Sequence, residues 1–216
     1  MKKKLGVLFL VALCTIAMAA CGSSKTLDET KTISTVEDLE GAKIGVQLGT
    51  TGDIYSSDYE GDEAGTTVER YNKMADAIQA LKQGKIDCVI VDEQPAIAVT
   101  KDSGDLKILD EEFVSEDYAI CIAKGNEQLK EKINEALGAL KEDGTIADII
   151  SNYIGEEAGK HPYKTPAGTS YDNGTLVAAT NATFPPYEYY ENETVTGIDI
   201  DIITAIGDRL GMKVEI

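Results

Sequence analysis

Three stretches of this 216-residue chain carry side chains able to hold a small charged molecule. The first is Gly49-Thr50-Thr51-Gly52, which follows Ile44, Val46 and Leu48 at the alternating spacing of a strand. A turn of this composition, running from a strand into a helix start, aims unpaired backbone N–H groups at one point. The helix dipole adds positive potential there, so the turn suits an anion. The second is Asp92, a carboxylate at the end of the apolar run 86–91. The third is the loop Asn181–Tyr187, NATFPPY, whose Phe184 and Tyr187 offer aromatic faces. An N–H cradle, one carboxylate and an aromatic platform match the three parts of an amino acid: its carboxylate, its ammonium and its side chain. Each stretch also has a plainer use. The turn could be a routine strand–helix connection capped by Thr51 or Asp53, Asp92 an N-cap, and the loop a lid packed on its own lobe.

Strand ends have to present these groups, and the hydrophobic pattern supplies them. A helical turn at Val36–Leu39 precedes a strand at 43–48, and Thr67–Tyr71 reads as the next strand. Met74, Ala77, Ile78 and Leu81 mark an amphipathic helix over 73–82, stopped by Gly84. The run 86–91 reads as a strand buried on both faces of a parallel sheet, followed by a helix over 93–101. Residues 106–109 and 118–123 read as two more strands. Leu129, Ile133, Leu137 and Leu140 predict a long helix, interrupted at Gly144, and Ile146, Ile149, Ile150, Tyr153 and Ile154 a second. Alternating strands and helices with short connections predict an α/β fold with helices on both faces of the sheet. Ligand groups in such sheets lie beyond the C-terminal strand ends, where all three stretches fall. Periodicity dissolves over 155–174, which reads as a linker. A new unit then starts: a strand at 176–179, a Pro/aromatic loop at 181–190, a helix at 198–210 and a strand at 213–216.

Composition narrows the function classes. The 38 acidic against 20 basic residues leave a net charge of −18, which repels phosphate backbones and argues against nucleic acid as a partner. His161 is the single histidine, so a transition-metal site has too few ligands, and no cofactor is implied. Cys88 and Cys121 sit in apolar, strand-like runs and read as buried thiols rather than a disulfide or a nucleophile. No nucleophile or acid–base group has a positioned partner, which argues against an enzyme.

The first residues read as an export signal: Lys2, Lys3 and Lys4, then an almost wholly apolar stretch from Leu5 to Ala20. Met18-Ala19-Ala20-Cys21 resembles the bacterial lipobox, in which the cysteine is lipidated and becomes the mature N-terminus; Met18 stands where leucine is usual. Gly22-Ser23-Ser24 then reads as the start of a flexible tether. A diacylglyceryl group on Cys21 carries two acyl chains, enough for stable anchoring in a lipid bilayer. The expected location is the extracytoplasmic face of the cell membrane.

The segments DLEGAKIGVQLGTTGD, MADAIQALKQGKIDCVIVD, EDYAICIAKGNEQLKEKINEALGALKEDGTIADIISNYIG and LVAATNATFPPYEYYENETVTGIDIDIITAIGDRLGMKVEI each resemble part of the polar amino-acid-binding proteins (family 3 type) of bacterial ATP-binding-cassette importers. The resemblance implies a periplasmic-binding-protein-like clamshell of two α/β lobes joined by hinge strands, whose closure the membrane permease reads. On that frame the chain divides into a signal (1–20), a tether (21–32), one near-complete lobe with hinge strand and C-terminal helices (33–154), the linker (155–174) and the first part of the other lobe (175–216). The resemblance puts ligand contacts at Gln47, at the hydroxyls and N–H groups of Thr50 and Thr51, at Asp92 for the ammonium, and at Asn181 and Phe184 in the other lobe. Asn181 stands where aspartate is frequent, which disfavours a cationic ligand. Asp199 and Asp201 fall at the helix start as caps. In the family the LVAAT segment precedes the GVQLGTTG lobe, and a segment with a carboxylate-clamping arginine follows VEI. The expectation is therefore a permuted receptor continuing past residue 216, with a fusion or deletion product as the alternative. Two other functions remain open at this point: an exported enzyme of the cyclic-acid dehydratase kind, with Glu93 as its acid, and a sensory module of a larger receptor.

Overall fold

β1 (Lys43–Gln47) is the middle strand of a three-stranded parallel sheet, between β2 (Thr67–Tyr71) and β3 (Cys88–Ile90). The computed structural model describes residues 30–61, 63–101 and 103–216; the export signal and Cys21 lie outside them. The register sets Ile44 between Val68 and Cys88, and Val46 between Arg70 and Ile90. Strands on both sides and side chains above and below leave β1 no wet face, and Ile44 and Val46 are fully buried. With Leu39, Ala42 and Val68 they form the first core. The strands are followed by α1 (Thr51–Ser56), α2 (Met74–Lys82) and α3 (Glu93–Thr100). α2 turns Met74, Ala77 and Ala80 inward, the stripe its spacing predicts.

A second core lies in the C-terminal half. α4 (Glu127–Glu142), α5 (Thr145–Tyr153) and α6 (Ile198–Leu210) pack through Ile133, Leu140, Ile149 and Ile206 onto Leu176 of β4 (Thr175–Val177). β5 (Thr183–Phe184), β6 (Glu188–Glu191) and β7 (Thr194–Thr196) form an antiparallel meander, and β8 (Lys213–Glu215) pairs in parallel with β4.

Several expectations change. β3 is an edge strand and only half-buried, because 106–109 and 118–123 form no strand and add nothing to the sheet. Cys121 is accordingly an exposed free thiol rather than a buried one, whereas Cys88 packs against the first core. α4 and α5, next to the first sheet in sequence, pack on α6 instead, since the apolar faces of all three need one another. The stretch 155–174 is pinned rather than loose. Tyr163 and Tyr171 both donate to the Asp208 carboxylate, at 2.9 and 2.7 Å, and Asn173 bonds the C-terminal end of α6. The loop at 181–190 contains β5 and part of β6. Two- to four-residue strands broken by Pro185 and Pro186 give no readable alternation. The turn at Asn192-Glu193, both at positive φ, was the one available hairpin signal.

Candidate functional site

At the end of β1 the Gly/Thr turn is built largely to hold itself. Thr50, not Thr51 or Asp53, is the N-cap of α1: its hydroxyl donates to Gln47 O at 2.9 Å and accepts from Asp53 N at 3.3 Å. The Gly49 N–H donates to the Asp53 carboxylate at 2.8 Å, and Arg70 Nε donates to the same carboxylate at 2.7 Å. The anion predicted for this cradle is thus partly supplied by the chain itself, in buried Asp53. Gln47 is also turned inward, and its Oε1 accepts from the Met74 N–H at the start of α2 at 3.1 Å. Gln47 and Thr50 therefore hold the first turn in shape, and Thr51 alone of the three points its hydroxyl outward, to Glu116.

Asp92 sits at the N-cap of α3 but makes no capping bond with its side chain. Its Oδ2 accepts instead from the hydroxyl of Tyr118. The Tyr118 ring meets Tyr187 edge to face, with centroids 4.7 Å apart and planes at 88°, and Tyr187 stacks on Phe184 at 6.1 Å. One chain of contacts therefore runs from the first core through Asp92 and Tyr118 to the aromatic pair of the meander. Thr51, Gly52, Asp92, Glu93 and Glu116 line one hollow of about 710 Å³, which continues along the open edge of β3. Burial, then the hydrogen bond to Asp92, pushes the Tyr118 phenol well above the usual range. Asn181, by contrast, is exposed and accepts locally from Thr183.

Beside the aromatic pair lies a carboxyl pair, Asp199 and the buried Glu188. Glu188 is raised from 4.5 to about 7, first by burial, then by the charge of Asp199, with which it shares a hydrogen bond. Asp199 is raised too, by burial. Asp199 and Asp201 are therefore not caps. Asp201 takes the Tyr153 hydroxyl at 2.8 Å, and the first N–H groups of α6 are met by the carbonyls of Pro186 and Tyr187.

Of the residues singled out in sequence, Thr51 and Asp92 line one hollow, Phe184 connects to Asp92 through Tyr187 and Tyr118, and Gln47, Thr50 and Asn181 make local bonds. Tyr118, Tyr187 and Glu188 complete the surroundings. Tyr187 belonged to the aromatic loop, but no local pattern joins Tyr118 to a carboxylate 26 residues earlier.

The sequence profile of the bacterial extracellular solute-binding proteins, family 3, matches residues 90–156 and 176–216, together half of the chain. The chain belongs to that family. Its α/β fold is of the periplasmic-binding-protein clamshell type. The L-cystine-binding protein TcyJ of Escherichia coli K12 is 32% identical over 130 residues, covering 60% of this chain and 48% of the relative. The L-arginine-binding protein of Pseudomonas aeruginosa is 33% identical over 130 residues, covering 54% and 48%. An ancestral arginine-binding protein solved with glutamine bound superposes with a TM-score of 0.52 at 38% identity, over 59% of this chain and 56% of its own. The chain spans about half the length of the curated relatives it matches.

Proposed function

We propose that this chain is the substrate-binding lipoprotein of an ATP-binding-cassette importer, capturing a polar amino acid and delivering it to the membrane permease. The observation that carries the reading is the linkage of Asp92, through Tyr118, to the Phe184–Tyr187 aromatic pair. A carboxylate facing aromatic walls suits an ammonium group attached to a side chain that packs on rings. Relatives named for cystine and arginine support the amino-acid class, since both ligands carry that ammonium. The residues assigned to the ligand are Asp92 for its ammonium, Phe184 for its side chain and Thr51 for its carboxylate. Gln47 and Thr50 hold the turn beneath. Lipidation at Cys21 would keep the receptor at the extracytoplasmic face.

The test is calorimetric titration of the full-length chain with L-glutamine, L-cystine and L-arginine, repeated on Asp92→Ala. Removal of the one carboxylate facing an ammonium is expected to weaken binding at least thirtyfold, about 2 kcal/mol or more. Unchanged binding in a folded Asp92→Ala protein would sink the site.

A further inference from the structure

We infer that Tyr118 occupies the ligand's place in this cleft and that an incoming amino acid must displace it. The inference rests on the receptor reading above and adds a residue that sets the affinity. Tyr118 engages the carboxylate assigned to the ligand's ammonium and the ring next to the one assigned to its side chain. Its hydroxyl donates to Asp92 Oδ2, where the ammonium would donate, and its ring meets Tyr187 edge to face, Tyr187 being the ring stacked on Phe184. A donor on a short apolar frame is a fair imitation of an amino acid's ammonium end.

The segment carrying it is held at two points. It is anchored at Phe113, which packs on the first core, and at Ile122, which packs on the second. Between these anchors, residues 114–121 join no strand or helix. Side chains hold Tyr118, which is 56% exposed, and leaving the cleft breaks its hydroxyl's contacts with Asp92 and Tyr187 and one ring contact. Its neighbour Glu116 holds the Thr51 hydroxyl in the same manner, which places a second, weaker plug on the turn. Because Asp92 follows β3 of the first sheet and Tyr187 packs on the second core, Tyr118 also links the two before a ligand arrives. Burial and the Asp92 carboxylate keep its phenol protonated, so the hydroxyl remains a donor throughout the physiological range.

A competitor built into the chain reduces apparent affinity by the fraction of time it occupies the site. Tyr118→Phe removes the donor and keeps the ring. It is expected to tighten binding of whichever of L-glutamine, L-cystine or L-arginine binds the native chain by about tenfold, the effect of deleting a charge-assisted hydrogen bond. The experiment is calorimetry on the full-length native, Tyr118→Phe and Asp92→Asn proteins, each first checked for native circular dichroism. Tighter binding by Tyr118→Phe, with loss of binding by Asp92→Asn, supports the displacement. Equal or weaker binding by Tyr118→Phe, with Asp92→Asn still impaired, overturns the displacement and leaves the site standing; weaker binding would make the hydroxyl a ligand contact. Full binding by Asp92→Asn, or no binding by any of the three proteins, overturns the receptor site and the displacement with it.

Discussion

Glu188 is the residue whose chemistry departs furthest from what its type predicts. Buried at the base of the aromatic loop beside Asp199, it holds its proton to about pH 7 instead of 4.5. A carboxyl raised in the folded state binds more protons folded than unfolded between those values. Its contribution to stability is therefore whole below about 4.5 and is lost as the pH climbs through 7. Glu188→Gln keeps the shape and a donor while removing the charge. It is expected to flatten the fall in stability across that window and to be more stable than the native protein at pH 8 by about 1–2 kcal/mol. Urea midpoints at pH 5 and pH 8 check this; equal pH slopes in the two proteins would show that the pair does not share a proton. The same scale explains why Asp92 stands apart. Asp53, Asp201 and Asp208 all take bonds that tie elements of the fold together, whereas Asp92 faces a tyrosine on a segment that joins no strand or helix.

Among the elements, the start of α6 decides where the aromatic platform lies. Gly197 enters the helix at φ +131°, and the next two N–H groups bond to Pro186 O and Tyr187 O at 3.1 and 3.0 Å. A Cβ on Gly197 would come within 2.1 Å of Tyr187 O, a backbone atom that cannot swing aside. Gly197→Ala must therefore push the loop away in addition to straining its own backbone. It is expected to cost about 2–4 kcal/mol of stability and to weaken ligand binding even where the protein still folds. Thermal unfolding and titration measure the two effects separately, and a loss of stability without any loss of affinity would separate the loop from the site. The pinned stretch 155–174 serves the same end. By tying Tyr163 and Tyr171 to Asp208 it fixes the far side of α6, so the helix presents its N-terminal end in one place.

At the scale of the whole molecule, charge and attachment are linked. A net charge of −18 gives the chain no electrostatic affinity for anionic lipid, whose surface repels it. No helix among the described residues is long and apolar enough to cross a membrane, so the proposed acyl chains on Cys21 are the anchor to test. Cys21→Ala, expressed in a bacterial host, is expected to move the protein from the membrane fraction to the soluble fraction after export. Persistence in the washed membrane pellet would count against lipid anchoring.

How much of this was legible depended on the range of the interactions. The strands at 43–48 and 67–71, the amphipathic stripe of α2, the long helices and the placing of Asp92 at a strand end were readable in the sequence, because each rests on residues a few positions apart; the buried centre was not, since 86–91 reads as buried on both faces and is the edge strand. Tertiary structure alone decided which groups were left over for a ligand. The family resemblance puts ligand contacts at Thr50 and Gln47, whose side chains in the structure bond Asp53 N and the Met74 N–H at the start of α2. Tyr118 looks like a core strand residue and ends on Asp92, because 118–123 finds no strand to pair with. A side chain's hydrogen-bonding capacity is written in its chemistry; whether that capacity is already spent depends on which distant groups the folded chain brings beside it.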